Sequence, residues 1–286
     1  MSKSLSDLIV EAHGLVKSFG RVTALDGLDL RVERGEVHGF LGPNGAGKST
    51  TIRALLGQIR LDGGSASVMG MDPWRRAVDI HERLAYVPGD TALWPGLTGG
   101  QCIDVLGGIH GAMNQKRRDE LVERFELDPT RRFRTYSKGN RQKVALVAAL
   151  ACDVDLLILD EPTSGLDPLM EAVFQGVVTE LANQGVSVLL SSHILAEVET
   201  LCGRVTVVRS GRGVFSGSLA SLRASAPSAI EAVTERAPEG LERIDGVADL
   251  MVSADPHGTR ITALVDARGL PAALAQVARA RPLQVA

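Results

Sequence analysis

Residues 42 to 50 read Gly42-Pro43-Asn44-Gly45-Ala46-Gly47-Lys48-Ser49-Thr50, three glycines closing on a lysine and two hydroxyls. Glycines at this spacing let the backbone draw in until successive amides converge on a phosphate, helped by the positive end of a following helix. Lys48 then supplies a point charge for β- and γ-phosphate oxygens, Ser49 a hydroxyl for Mg²⁺, and Thr50 a donor for an α-phosphate oxygen. A second constellation lies downstream, where the apolar run 156–159 ends in Asp160-Glu161. A strand ending there puts both carboxylates at its C-terminal end, where ligands bind in open α/β sheets. Asp160 can hold Mg²⁺ through water and Glu161 can polarise an attacking water. The loop alone could be a glycine-rich turn and the pair alone a helix cap. Found together, they predict binding and hydrolysis of ATP with Mg²⁺.

The elements that must position these residues are legible on either side of them. An apolar run at 37–41 feeds the loop and a helical pattern follows it, which is the strand-loop-helix setting the motif needs. Strand-like runs precede at 9–12 and 24–32 and follow at 65–69 and 84–87, the last stopped by Pro88-Gly89. Thr98 with Gln101 three residues later reads as a capping box that starts a helix. Helical patterns at 101–110, 116–125 and 140–151 make an all-helical insert of about residues 98–150. Beyond it the pattern alternates: strand 156–159, helix 168–183, strand 186–191, helix 194–201, strand 205–209. This alternation predicts an α/β fold, a phosphate-loop ATPase core carrying a β-rich N-terminal subdomain and the helical insert. The texture changes near residue 220. Ala226-Pro227-Ser228-Ala229 reads as a linker, and strand-like runs at 230–234, 248–253 and 259–265 with a helix at 270–280 predict a small α+β domain over 228–286.

Composition narrows the function classes. With 286 residues and 44% hydrophobic content, the chain can bury a large core and a second small one. The longest apolar stretch, 144–152, is far short of the ~18 residues of a membrane span. The N-terminus lacks the plan of a signal peptide, so a cytoplasmic location is expected. Net charge is −3, which gives no general attraction to nucleic acid. Three widely spaced cysteines, Cys102, Cys152 and Cys202, argue for reduced, structural thiols.

The order of the phosphate loop, Tyr136-Ser137-Lys138-Gly139-Asn140-Arg141-Gln142, Leu157-Ile158-Leu159-Asp160-Glu161-Pro162-Thr163, Ser164-Gly165-Leu166-Asp167 and Ser192-His193 resembles the nucleotide-binding subunit of ATP-binding-cassette (ABC) transporters. The likeness covers residues 8–217 and is greatest to the bacterial drug-export branch, similar to daunorubicin- and tetronasin-type exporters. The resemblance implies that Phe19 stacks on adenine. It implies that Ser137 and Gly139 reach the γ-phosphate of ATP held by a second copy, that Asp167 lies in a loop crossing between the copies, and that His193 contacts the γ-phosphate beside the catalytic Glu161. It further implies a head-to-tail dimer on the cytoplasmic face of the membrane, driving efflux of a drug-like or lipophilic compound through a separate transmembrane permease. The rival is a soluble cassette ATPase acting on ribosomes or DNA, which usually carries two fused cassettes or a long coiled-coil insert; neither pattern is present.

The sequence departs from the family in two places. Tyr136, Lys138 and Asn140 replace the usual residues around Ser137 and Gly139. Gly89 stands where the family has a glutamine that helps hold Mg²⁺, leaving Asp90 as the neighbouring acidic group. Two further features have two readings each: Arg131, Arg132 and Arg134 are a solvated face or a membrane-side contact, and Trp94 is a contact residue or core.

Overall fold

The computed structural model describes residues 7–110, 113–225, 228–265 and 269–285. Contacts divide the chain into two compact units, residues 1–219 and 220–286.

In the first unit the elements run β1 (Leu8–Phe19), β2 (Val22–Glu33), β3 (Val37–Leu41), α1 (Lys48–Leu55), β4 (Gly63–Val68), α2 (Ala77–His81), β5 (Leu84–Val87), α3 (Gly99–His110), α4 (Gln115–Arg124), α5 (Lys138–Leu150), β6 (Leu156–Asp160), α6 (Pro168–Asn183), β7 (Ser187–Ser192), α7 (Leu195–Leu201), β8 (Arg204–Arg209) and β9 (Arg212–Ser218). They build two sheets. One is antiparallel, ordered β2-β1-β4; the other is ordered β5-β6-β7-β3-β8-β9 and is parallel except for β9. Strands β6 and β7 are buried at every residue, as parallel strands covered on both faces must be. Leu15, Leu25 and Leu28 of the antiparallel sheet share one core with Phe40, Ile158, Leu189 and Ile52 of α1, so both sheets close on the helix that follows the glycine-rich loop.

Register matters most for function. The ladders set Val87 beside Leu159, Asp160 beside Ser191, and Leu41 beside Ser192. The C-terminal ends of β5, β6, β7 and β3 therefore lie level, and the loops leaving them emerge side by side.

The helical insert starts as the sequence predicts: the Thr98 N–H donates to Gln101 Oε1 at 2.9 Å and the Gln101 N–H to Thr98 Oγ1 at 3.2 Å. Other boundaries moved. Strand β1 runs through Gly14 to Phe19, because bulges in its pairing with β2 absorb residues that interrupt the alternation. Helix α5 opens at Lys138, two residues earlier than the periodicity indicates, since Ser137 is its N-cap and accepts from the Asn140 N–H at 3.2 Å. Strand β9 was missed because Arg212–Ser218 is glycine-rich and mostly exposed.

The second unit holds most of α8 (Leu219–Ser225), then β10 (Ser228–Thr234), β11 (Val247–Asp255), β12 (Gly258–Val265), α9 (Leu270–Arg279) and β13 (Pro282–Val285). Its antiparallel sheet, ordered β11-β12-β10-β13, packs Ile230, Ala232, Ile261 and Val265 with Ala273 and Val277 of α9. Ser228 and Ala229, read from sequence as linker, already pair with Val265 and Leu264; Ala226 and Pro227 lie outside the described residues.

Cys102, Cys152 and Cys202 are all buried. Burial holds all three thiols above their ordinary range, to about 11 for Cys152 and about 12 for Cys202. Only the thiolate reacts, and its share falls as the pKa rises above the working pH. In the native protein at pH 8, iodoacetamide should label these cysteines at least about tenfold more slowly than in denaturant, as mass spectrometry would show. Labelling at equal rates would contradict this packing.

Candidate nucleotide-hydrolysis site

The site is built on four strand ends. From β3 the chain turns through Gly42 to Gly47 into α1, with Gly45 and Gly47 at φ 77° and 109°, a region open to glycine and costly for other residues. Gly47 also permits a close approach: a Cβ there would lie 2.7 Å from the Ala24 carbonyl of β2. The Gly211 N–H donates to Ala46 O at 2.9 Å and the Asp26 N–H to Gly211 O at 2.9 Å, so β2 and the β8–β9 turn brace the loop from outside.

Lys48 is only 5% exposed. Its Nζ donates to the carbonyls of Gly42 at 2.6 Å and Pro43 at 3.3 Å and lies 3.6 Å from Glu161 Oε1. Ser49 is exposed, Thr50 half-buried, and Pro43, Asn44 and Gly45 line the open side of the loop. Glu161 follows β6 with φ 48°, a left-handed backbone unusual for this residue type. Its N–H donates to the Ser191 carbonyl at 3.1 Å, and its carbonyl accepts from the Ser164 N–H at 3.1 Å. Nδ1 of His193 lies 3.3 Å from Glu161 Oε1. Lys48 and His193, far apart in sequence, thus converge on one carboxylate, that of Glu161. Asp160 is buried and accepts a hydrogen bond from the Ser191 hydroxyl. Burial, followed by the charge of Asp160, pushes the Tyr86 phenol up to about 12. The oxygens of Asp160 and Ser49 are the hard donors Mg²⁺ prefers, few enough to leave it several waters.

The remaining predicted residues lie in other parts of the unit. Phe19 ends β1 at the turn into β2, half-exposed, with Lys17 Nζ 5.5 Å from its ring centroid. Ser137 is exposed at the start of α5. A Cβ on Gly139 would overlap the Gly165 carbonyl, and Lys138 Nζ donates to Ser164 Oγ at 2.8 Å, so the start of α5 rests on the loop after Glu161. Asp167 caps α6, accepting from the N–H groups of Leu169 and Met170 at 3.1 and 3.0 Å. Gly89 stands against the end of β6, where a Cβ would lie 3.2 Å from Asp160 O, and Asp90 beside it is exposed. Arg131, Arg132 and Arg134 are exposed, as is Trp94.

Sequence reasoning missed Glu197. Its carboxylate accepts from Thr163 Oγ1 at 2.8 Å and Ser192 Oγ at 2.5 Å, tying the loop after Glu161 to the residue before His193. Ser192 Oγ also accepts from the Ile194 N–H at 2.9 Å. Spacing gave one signal, a glutamate four residues after His193, in the short helix that follows it.

Comparison with known proteins shows the family of the chain. Residues 25–164 match the family described as ABC transporter. A daunorubicin resistance ATP-binding protein of Streptomyces coeruleorubidus (DrrA3) is 41% identical over 77% of this chain and 71% of its own length. A second from the same organism (DrrA2) is 37% identical over 94% of this chain and 86% of its own. The chain belongs to the ABC transporter ATP-binding family. A solved ATP-binding subunit of an ABC transporter superposes with a TM-score of 0.71 at 30% identity, over 75% of this chain and 92% of that one. As an ABC ATPase the protein binds and hydrolyses ATP. Among the described residues no helix is long and apolar enough to cross a membrane.

The Glu197 bridge generates a prediction. Glu197→Ala frees Thr163 and Ser192 together, so kcat for ATP hydrolysis should fall about five- to tenfold while ATP affinity changes by less than about twofold. Equilibrium nucleotide binding beside steady-state turnover would check it. Unchanged kcat would show that the bridge does not hold the site.

Proposed function

We propose that this ABC ATPase works as two identical copies arranged head to tail on the cytoplasmic face of a membrane, powering a separate transmembrane permease that expels a drug-like or lipophilic compound. The observation that carries the hydrolytic part is the convergence of Lys48 at 3.6 Å and His193 at 3.3 Å on Glu161. Support for export comes from the relatives' names as daunorubicin resistance proteins.

Each residue then has a task. Amides of residues 42–50 and Lys48 hold the phosphates; Ser49 and Asp160 hold Mg²⁺, which when bound neutralises charge on the phosphate oxygens. Phe19 offers a π face to adenine. Glu161 orients and polarises the attacking water, and His193 bridges that carboxylate and the γ-phosphate. Ser137 and Gly139, exposed or nearly so at the start of α5, serve the phosphates bound by the second copy, and Asp167 lies at the crossing between the copies. A site completed by a second subunit makes closure depend on ATP and reopening on hydrolysis, a cycle that can do work on a permease.

Glu161→Gln should keep ATP affinity within about threefold, lower turnover at least about a hundredfold, and trap an ATP-dependent dimer detectable by sedimentation. Lys48→Ala should instead weaken nucleotide binding itself by at least about tenfold. Wild-type turnover in the first variant, or wild-type affinity in the second, would remove the corresponding role. Because the unit from residue 220 has its own core, a chain ending at Ser218 should still bind ATP; a soluble truncated protein that does not would refute the independence of the two units.

A further inference from the structure

Gln142 sits in the second turn of α5, is 2% exposed, and is hydrogen-bonded at both ends of its amide. Its Oε1 accepts from Thr91 Oγ1 at 2.8 Å and its Nε2 donates to the Pro162 carbonyl at 3.1 Å. A carbonyl can only accept, so the amide has one orientation, and the buried Thr91 hydroxyl must then donate to the oxygen. The two partners belong to different loops: Thr91 lies in the segment that leaves β5, and Pro162 immediately follows Glu161. Those loops leave adjacent parallel strands, with Val87 level with Leu159.

What the amide holds is the carbonyl of Pro162, the residue that follows the proposed catalytic carboxylate. Glu161 has φ 48°, and a left-handed residue keeps that conformation only where its surroundings fix both flanking peptides. On one side the Glu161 N–H is held by the Ser191 carbonyl at 3.1 Å; on the other, the Glu161 carbonyl accepts from the Ser164 N–H at 3.1 Å, and Gln142 holds the carbonyl of the next peptide, that of Pro162. Helix α5 also touches the same loop through Lys138 to Ser164 and Gly139 against Gly165. Of these contacts, the Gln142 amide adjoins Glu161 and also reaches the segment after β5. Gly89, earlier in that segment, has no side chain to make such a link.

We propose that Gln142 is a positioning residue for ATP hydrolysis: its amide sets Glu161 through the Pro162 carbonyl and couples that setting to the Gly89–Thr91 segment and to the start of α5. A displacement of either element, by a docked partner or by nucleotide at Ser137 and Gly139, moves the water-polarising carboxylate through one buried side chain. The proposal rests on the reading of Glu161 as that carboxylate.

The test uses the full chain with Gln142→Leu, Thr91→Val and Thr91→Ser, each alone, and Gln142→Leu also combined with Glu161→Gln. Gln142→Leu should lower kcat about tenfold with KM for ATP within about twofold. Thr91→Val should lower kcat about threefold, and Thr91→Ser, which keeps the hydroxyl, should restore it; this pair carries the test if Gln142→Leu does not fold. In the Glu161→Gln background, Gln142→Leu should not slow single-turnover hydrolysis further, because a residue acting through a carboxylate has nothing to position once that group is gone. The same tenfold loss in both backgrounds, or Thr91→Ser as impaired as Thr91→Val, would overturn the proposal. Wild-type turnover in Glu161→Gln alone would overturn the reading of Glu161 and this proposal with it, a result distinct from additivity of the two changes.

Discussion

A lysine ammonium that is 5% exposed must be given oxygen partners, because an unpaired buried charge costs several kcal/mol. Lys48 finds them in the carbonyls of its own loop, Gly42 at 2.6 Å and Pro43 at 3.3 Å, and in Glu161 at 3.6 Å. Much of the site follows from that requirement. The loop must curl back on its lysine, which glycines at 45 and 47 allow. The first strand after the helical insert must end beside β3's neighbour so that its carboxylate comes within reach. A polyphosphate offers the same ammonium charged oxygens in place of neutral carbonyls, so nucleotide can replace these partners without leaving a charge unpaired.

The parallel sheet supplies the second constraint. Four strands ending level deliver four loops to one surface, and short buried polar links lock those loops to each other. Ser191 holds Asp160 across β6 and β7; Glu197 joins Thr163 to Ser192; Gln142 joins Thr91 to Pro162. A buried polar group left unsatisfied costs roughly 1–3 kcal/mol, so the buried members of these links hold the loops to one another. A surface of this kind suits an ABC ATPase, in which ATP binding must be felt away from the phosphate.

The chemistry was legible from the chain alone because it depends on covalent spacing. A run of nine residues makes the phosphate loop whatever surrounds it, the acidic pair is set by the apolar strand it ends, and the capping box at Thr98 and Gln101 needs only one turn of helix. The same locality made most helices and buried strands readable. Strand β9 is not, since glycine-rich, mostly exposed residues carry no alternation, and Ser228 reads as linker because its partner, Val265, is distant in sequence. Only the tertiary structure decided which side chains meet. Strand order β5-β6-β7-β3-β8-β9 makes neighbours of segments that the chain keeps apart, and from it come the approach of His193 to Glu161, the hydroxyl of Ser191 on Asp160, and the amide of Gln142 between two loops. A serine, threonine or glutamine looks alike in sequence whether it faces water or holds a buried loop. The difference lies in burial and in the partner across the fold, and neither is a property of local sequence.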